Sequence, residues 1–366
     1  MKKLKIISIL LLTIVLTGCS TVLKDKDGKV VQYTEKSVCE TCNNKCELIK
    51  PKNEEQNELE PESKELEDIK NEQEECKNNC LETCESAKKT QTGQNLTGNI
   101  LCKPTDKNMI ELYENNNVDL SKLPDCKDLS ISSGSYEGVW TTLFVKPLAW
   151  LIVMVGNIFK NYGLAVIIIT ILIRLALFPV TKKTAMQSEM MKKAQPELKK
   201  LEKKYENLKD QQSQMQKSQE MMAIYKKYGI NPLSGCLFSL IQIPLFFAFY
   251  EALNRLPIIF EGKLLCFNLG ITPWTAIFNY GHYWYIIIVV LVAVLTFYSF
   301  RLNQTASMTG EQQKQMKMMS IFSVVLITIM SFRVSISIAL YWIFNSAFTV
   351  VQNLLVKRGN KNDHVI

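Results

Sequence analysis

The sequence predicts an all-α integral membrane protein that carries a small, cysteine-rich exported region. Three observations point there. Long apolar segments recur beyond residue 160, a short basic-then-apolar leader opens the chain, and eight cysteines gather in the polar stretch between them. Of the 366 residues, 47% are hydrophobic and 21% are charged, an average that hides this division. Apolar runs of about eighteen residues or more belong to membrane helices, not to a soluble core.

The leader, 1–18, begins Met1-Lys2-Lys3, runs apolar from Ile6 to Leu16 and ends Leu16-Thr17-Gly18-Cys19. Roughly eleven apolar residues are too few to cross about 30 Å of hydrocarbon, so the segment reads as a signal peptide. Its ending resembles the bacterial lipobox. That resemblance implies a lipoprotein with a lipid (palmitate-type) anchor on Cys19 and an N-terminus outside the cell membrane.

Charge is distributed unevenly. Residues 20–150 hold 17 lysines and no arginine against 25 acidic residues, whereas residues 151–366 hold 23 basic against 10 acidic and the leader adds three lysines. In a membrane protein such asymmetry reports topology. The net charge of +8 is therefore no sign of a nucleic-acid ligand.

The exported region, 19–138, holds Cys39, Cys42, Cys46, Cys76, Cys80, Cys84, Cys102 and Cys126. An even count on an oxidising side argues for disulfides. Steps of three and four put each trio on one helical face. Two antiparallel helices would pair Cys39 with Cys84, Cys42 with Cys80 and Cys46 with Cys76, leaving Cys102 for Cys126; eight cysteines allow about 105 pairings. Cys39-x-x-Cys42 also resembles half a zinc knuckle, but the histidines of the chain are His282 and His364, so no metal site is assigned. The acidic stretch from Pro51 to Glu75 reads as solvated helix or disorder.

Residues 139–162 read as an interfacial amphipathic helix. Pro147 interrupts Trp140–Phe159, the clean apolar part is short, and Trp140, Phe144, Trp150 and Phe159 with Lys146 and Lys160 suit the membrane boundary. Five spans follow, at about 164–180, 233–253, 283–300, 318–332 and 334–356. The loop 181–232 has twelve lysines and six acidic residues; it reads as a cytoplasmic helical hairpin, roughly Lys182–Leu208 and Gln214–Tyr228. An exported N-terminus then requires an odd number of crossings before that loop, which keeps 139–162 at the interface. The tail, 359–366, lands in the cytoplasm, and the chain is a multi-pass protein of the bacterial cell membrane.

Polar residues inside these spans are the candidate functional set. Arg174 lies about 12 Å above Lys182 on a continuous helix. An arginine at the centre of a span costs about 2.5–3.5 kcal/mol by insertion scales and ordinarily faces a bundle interior or a wet cavity. The alternative is snorkelling to the cytoplasmic headgroups. Trp342, Asn345, Ser346, Thr349, Gln352 and Asn353 recur at steps of three and four and form one polar stripe. Ser239, Gln242 and Tyr250 lie close to one face of the second span, with Glu251 beside them. Interhelical hydrogen bonding is the structural alternative for all of these. No acidic residue stands at the depth of Arg174 within the spans.

A family resemblance rests on such residues. Gly163-Leu164-Ala165-Val166 through Ile173-Arg174-Leu175-Ala176-Leu177-Phe178-Pro179 resembles the first core span of the YidC-type membrane protein insertases. Asn231-Pro232-Leu233-Ser234-Gly235-Cys236 and Ile241-Gln242-Ile243-Pro244-Leu245-Phe246-Phe247-Ala248-Phe249-Tyr250 are similar to the second. Gln315-Met316-Lys317-Met318-Met319 and Ala339-Leu340-Tyr341-Trp342-Ile343-Phe344-Asn345 resemble the entry to the fourth span and the body of the fifth. The likeness covers about Trp140 to Arg358. The stretch Phe332-Arg333-Val334-Ser335-Ile336-Ser337 lacks the proline usual before the fifth span, and the cysteine-rich head matches nothing in the family.

The resemblance implies a five-span insertase core over 163–358. Its hydrophilic groove, lined by Arg174, Ser239, Gln242, Trp342, Asn345, Ser346, Thr349 and Gln352, would receive nascent membrane proteins and assist their insertion and folding as a chaperone. It implies no enzyme activity and no cofactor. Candidate partners are the Sec translocon, the ribosome, the signal recognition particle pathway of protein translocation, and membrane lipids. Two other readings compete: a small-solute transporter, which ordinarily shows inverted repeats, and a surface-binding lipoprotein acting through its cysteine-rich head.

Overall fold

The computed structural model describes residues 21–49, 64–90, 93, 95–208, 210–231, 234–303 and 310–362. The leader and Cys19 lie outside them. The protein is built almost wholly of helices and divides into two compact units.

The first unit holds 164–250 and 284–366. Most of α5 (Tyr162–Ala176) belongs to it, with α6 (Phe178–Lys204), α7 (Gln211–Lys227) and most of α8 (Ser234–Asn254). After α8 the chain passes through the other unit and returns as α11 (Ile286–Asn303), α12 (Gly310–Ser331) and α13 (Ile336–Asn362). α11 packs on both α12 and α13, and α6 touches α13.

The segment expected as a span over 164–180 is bent near its end. α5 ends at Ala176, and α6 leaves at 67° to it. The break has a local cause. Pro179 sits in the first turn of α6, where a missing N–H costs nothing, but a helix running on from α5 would need that N–H for the Leu175 carbonyl, and the proline ring would clash with it. A depth for Arg174 reckoned along one straight helix therefore does not hold.

α6 and α7 form the hairpin expected from 181–232. Met191, Ala194 and Leu198 pack against Tyr225 and Ile230. Exposed pairs flank this core: Lys204 with Glu220 and Lys227 with Glu197, both at 2.6 Å. Gly229, at φ +62°, turns the chain out of α7. There Gln187 Oε1 accepts from the Asn231 backbone N–H at 2.7 Å. The turn between α12 and α13 needs no proline. Ser335 offers its carbonyl to the N–H groups of Ile338 and Ala339, both at 3.1 Å, and its hydroxyl meets that of Ser337 at 2.8 Å.

The second unit holds 18–163 and 251–283. It contains α1 (Glu35–Glu47), α2 (Lys64–Thr90), α3 (Lys107–Asn115), α4 (Lys146–Phe159), α9 (Pro257–Glu261), a two-residue antiparallel pair β1 (Lys263–Leu264) and β2 (Phe267–Asn268), and α10 (Pro273–Phe278). The sequence division placed 254–282 within the core region, whereas the structure groups it with the cysteine-rich region. Leu256, Ile259, Phe260, Leu269 and Ile271 are buried there, as are Tyr33, Leu96, Met109 and Tyr113. Burial holds the Tyr113 phenol well above its ordinary value. The acidic stretch from Lys64 onward is helical, as part of α2.

Pro147 does not interrupt its segment as expected. A single π-turn, Thr141–Val145, feeds directly into α4, and Pro147 occupies its first turn, where proline is tolerated. The joined stretch Thr141–Phe159 is 19 residues and apolar enough to cross a membrane by length and composition. So are Tyr283–Leu302 and Ile336–Lys357, with the bent pair α5–α6 as a fourth candidate and Lys317–Ser331 as a shorter apolar helix. Among the described residues, length and composition thus give three or four candidate spans.

Candidate functional site

Arg174 sits in the last turn of α5 and is 2% exposed. A cation at a helix C-terminus is favoured by the unpaired carbonyls there. Burial of a guanidinium still demands hydrogen-bond partners. Two neighbouring helices supply them: Nε donates to Asn345 Oδ1 of α13 at 2.6 Å, and Nη2 donates to Gln242 Oε1 of α8 at 2.6 Å. Gln242 Nε2 in turn donates to Tyr341 Oη at 3.0 Å. The four side chains form one continuous chain of hydrogen bonds, in which each link polarises the next.

The sequence left water and a guest as the surroundings of Arg174, and the structure adds these two amides. Both are neutral. They satisfy two of its donors.

The remaining stripe residues lie along α13. Asn345 and Ser346 are each 8% exposed, and Thr349 and Gln352 are more deeply buried. Thr349 spends its hydroxyl on its own helix, donating to the Asn345 carbonyl at 2.9 Å; Asn353 donates back to the Thr349 carbonyl at 2.8 Å. Gln352 Nε2 donates to Thr181 Oγ1 at 2.9 Å, which ties α13 to the first turns of α6 just beyond the bend. Trp342 is half-buried and stacks on Phe246 of α8, with ring centroids 5.5 Å apart. Ser239 lies on α8 among residues whose side chains are outside the described set. Sequence reasoning passed over Tyr341, which is 1% exposed and stacks on Phe249 at 4.3 Å. Tyr341 stands four residues before Asn345, at the edge of the stripe, but a tyrosine in an apolar span carries little signal by itself.

In the second unit the structure joins Cys39 to Cys84, Cys42 to Cys80, Cys46 to Cys76 and Cys102 to Cys126, with Cα separations of 5.2, 5.7, 5.7 and 4.8 Å. The first three are rungs between α1 and α2. Cys46, Cys76 and Cys80 place their sulfurs within 4.8 Å of one another, a spacing that would suit a metal, but all three are engaged in rungs. Three charged groups are buried in this unit. Glu251 Oε1 accepts from Trp140 Nε1 at 3.0 Å. Lys146 donates to the carbonyls of Ser133 and Ser135 at 2.7 and 2.9 Å. Arg255 pairs with Glu137.

Comparison with known proteins gives the site its context. Residues 154–363 match the family described as 60Kd inner membrane protein. The chain is 35% identical over 227 residues to the membrane protein insertase YidC of Oceanobacillus iheyensis, covering 61% of this chain and 85% of that one. It is 37% identical over 221 residues to membrane protein insertase YidC 2 of Bacillus anthracis, covering 60% and 82%. With membrane protein insertase MisCA of Bacillus subtilis it shares 35% identity over 219 residues, covering 60% and 79%. The matched region contains Arg174, Gln242, Tyr341 and Asn345 with the apolar helices around them, and on that basis the chain belongs to the YidC family of membrane protein insertases.

Proposed function

We propose that this insertase receives client proteins at Arg174, and that the reception is electrostatic. One observation carries the reading: a buried guanidinium is held by two neutral amides from two other helices. An acidic side chain in the exported segment of a nascent membrane protein is a stronger acceptor than either amide, because charge-assisted pairs are shorter and roughly twice as strong. The client carboxylate exchanges with Gln242 and Asn345, the segment gains a foothold inside the membrane, and its apolar span leaves into lipid. Ser239, Ser346, Thr349 and Gln352 supply the polar wall of a groove, and Trp342 and Phe246 supply an apolar one. The driving force is the burial of the client's apolar span.

The finer arrangement follows from charge. The hairpin α6–α7 faces the cytoplasm, where its lysines meet anionic lipid and the ribosome or targeting machinery. The exported region stands outside on a lipid anchor at Cys19. Thr141–Phe159 lies in the interface, because counting it as a crossing would put the hairpin on the wrong side. Five crossings then remain.

The test is insertion of an acidic single-span client in cells depleted of their own insertase. Arg174→Ala is expected to lower insertion by tenfold or more, and Arg174→Lys to retain most of it. Full activity of the alanine variant on a client that still requires this protein would end the electrostatic account.

A further inference from the structure

A second charged cavity lies away from Arg174. It opens between the end of α11 and the middle of α12 and has a volume of about 330 Å³. Arg301 and Lys317 stand at its rim, both exposed. Neither makes a hydrogen bond or ion pair among the described residues. Phe297, Phe300, Ile321 and Val324 line its walls, and Ser320, 8% exposed, adds one hydroxyl.

The order of these residues along the helices matters. Arg301 is in the last turn of α11, just past its apolar run, with Phe297 one turn earlier. Lys317 opens the apolar part of α12, Lys317–Ser331, with Ile321 and Val324 one and two turns on. Both cations therefore sit at the membrane boundary, and the apolar walls lie one to two turns deeper on both helices. This gradient matches an amphiphile with an anionic head, and basic clefts between membrane helices are a common site for acidic lipid headgroups.

We propose that this cleft binds an anionic phospholipid, with Arg301, Lys317 and Ser320 on the phosphodiester and the acyl chains against the aromatic and aliphatic walls. An unattached phosphate or an RNA strand would use the cations but leave the walls empty, which is why a lipid is the better fit. The assignment of the cleft to the inner leaflet rests on the orientation proposed above; lipid binding itself does not.

Full-length protein reconstituted in bilayers mixing phosphatidylglycerol with phosphatidylcholine, then analysed by native mass spectrometry, tests this. Wild type is expected to retain phosphatidylglycerol selectively. Arg301→Gln with Lys317→Gln should lower its retention by roughly thirtyfold, since each cation near an anionic lipid is worth about a factor of five. Arg301→Lys with Lys317→Arg should keep it. Val324→Trp offers a second route that does not touch the charged side chains: it fills the cleft, leaves both cations, and should also displace the lipid. Equal retention of both lipids by wild type, undiminished phosphatidylglycerol on either disruptive variant, or displacement by inorganic phosphate or an RNA oligonucleotide would each overturn the proposal.

Discussion

The Nε atom of Arg174 lies 2.6 Å from Oδ1 of Asn345, so the last turn of α5 is tied to the body of α13 by a charged donor and a neutral acceptor. Neutrality is what the proposed mechanism needs. A resident carboxylate would compete with the client. Asn345→Asp is therefore expected to keep the fold, or strengthen it, while insertion of acidic clients falls by tenfold or more. Asn345→Leu removes the acceptor and leaves a buried donor short of a partner, a loss of about 1–3 kcal/mol. Thermal unfolding read beside client insertion separates the two. A fully active aspartate variant would show that the charge of Arg174 is not the receiving element.

Much of this arrangement is legible in the sequence, for a physical reason. Arg174, Gln242 and Asn345 are polar groups in apolar surroundings, and a group that is costly to bury announces itself. The bend at Leu177 was written there too, in Pro179, but the lysines that follow drew the eye to one continuous helix. Tyr341 was not legible, because its role depends on Gln242, a partner 99 residues away. Nor was the union of the 251–283 loop with the cysteine-rich region. It depends on nonlocal bonds such as Leu101 N–H to the Arg255 carbonyl, 2.9 Å, which no periodicity encodes.

The helical pair α1–α2 should depend on its disulfides. α1 buries Val38 and Cys46 and little else, too small an apolar surface to hold two solvated helices together. Unreduced peptide mapping is expected to recover the four pairs named above. Replacing Cys42 and Cys80 by serine should lower the stability of the pair by about 2–4 kcal/mol. Client insertion should persist, since Arg174, Gln242 and Asn345 lie in the other unit. Helicity of α1 and α2 that survives full reduction would show that packing suffices.

The α6–α7 hairpin offers a comparison of charge with packing. Glu197 is held below its ordinary carboxylate value by bonds from Lys227 and Tyr228, and Glu220 likewise by Lys204 and Tyr205. Their lowered values place the stabilising effect above the ordinary carboxylate range and remove it as pH falls below about 4. Lys204 and Lys227 are raised by the same partners, so their contribution is present below about pH 10 and is lost above it. These groups are exposed, and such pairs contribute little. Leu198, 3% exposed in the hairpin core, should matter more: Leu198→Ala is expected to cost about 2–5 kcal/mol. Spin-label distances between α6 and α7 should broaden markedly for Leu198→Ala, only slightly for Glu197→Gln, and slightly for wild type at acid pH or high salt. Equal broadening by both substitutions would mean that the ion pairs, not the apolar cluster, hold the hairpin.

Arg255 is the most deeply buried cation of the second unit, at 0% exposure. Nη2 pairs with Glu137 at 2.5 Å, Nε donates to the Asn99 carbonyl at 2.6 Å, and Nη1 has no partner among the described residues. Such a pair is weak evidence of net stabilisation, because desolvation offsets most of the attraction. Removing one member is a different matter, since it strands a charge in a site already short of one acceptor. Glu137→Gln keeps the shape and deletes the countercharge, so it should cost about 3 kcal/mol. The loss should be local. The Leu101 amide, bonded to the Arg255 carbonyl, ought to exchange with solvent faster, and proteolysis between residues 95 and 137 ought to rise. Glu261→Gln is the matched control. Its carboxylate accepts from the backbone N–H groups of Thr105 and Asp106 at 2.7 and 2.9 Å, and a glutamine oxygen can still accept there, so a smaller change is expected. If Glu137→Gln left the Leu101 amide as protected as in wild type, the bond from the Asn99 carbonyl and the surrounding packing would be sufficient to hold Arg255, and the ion pair would be incidental to the union of loop and exported region.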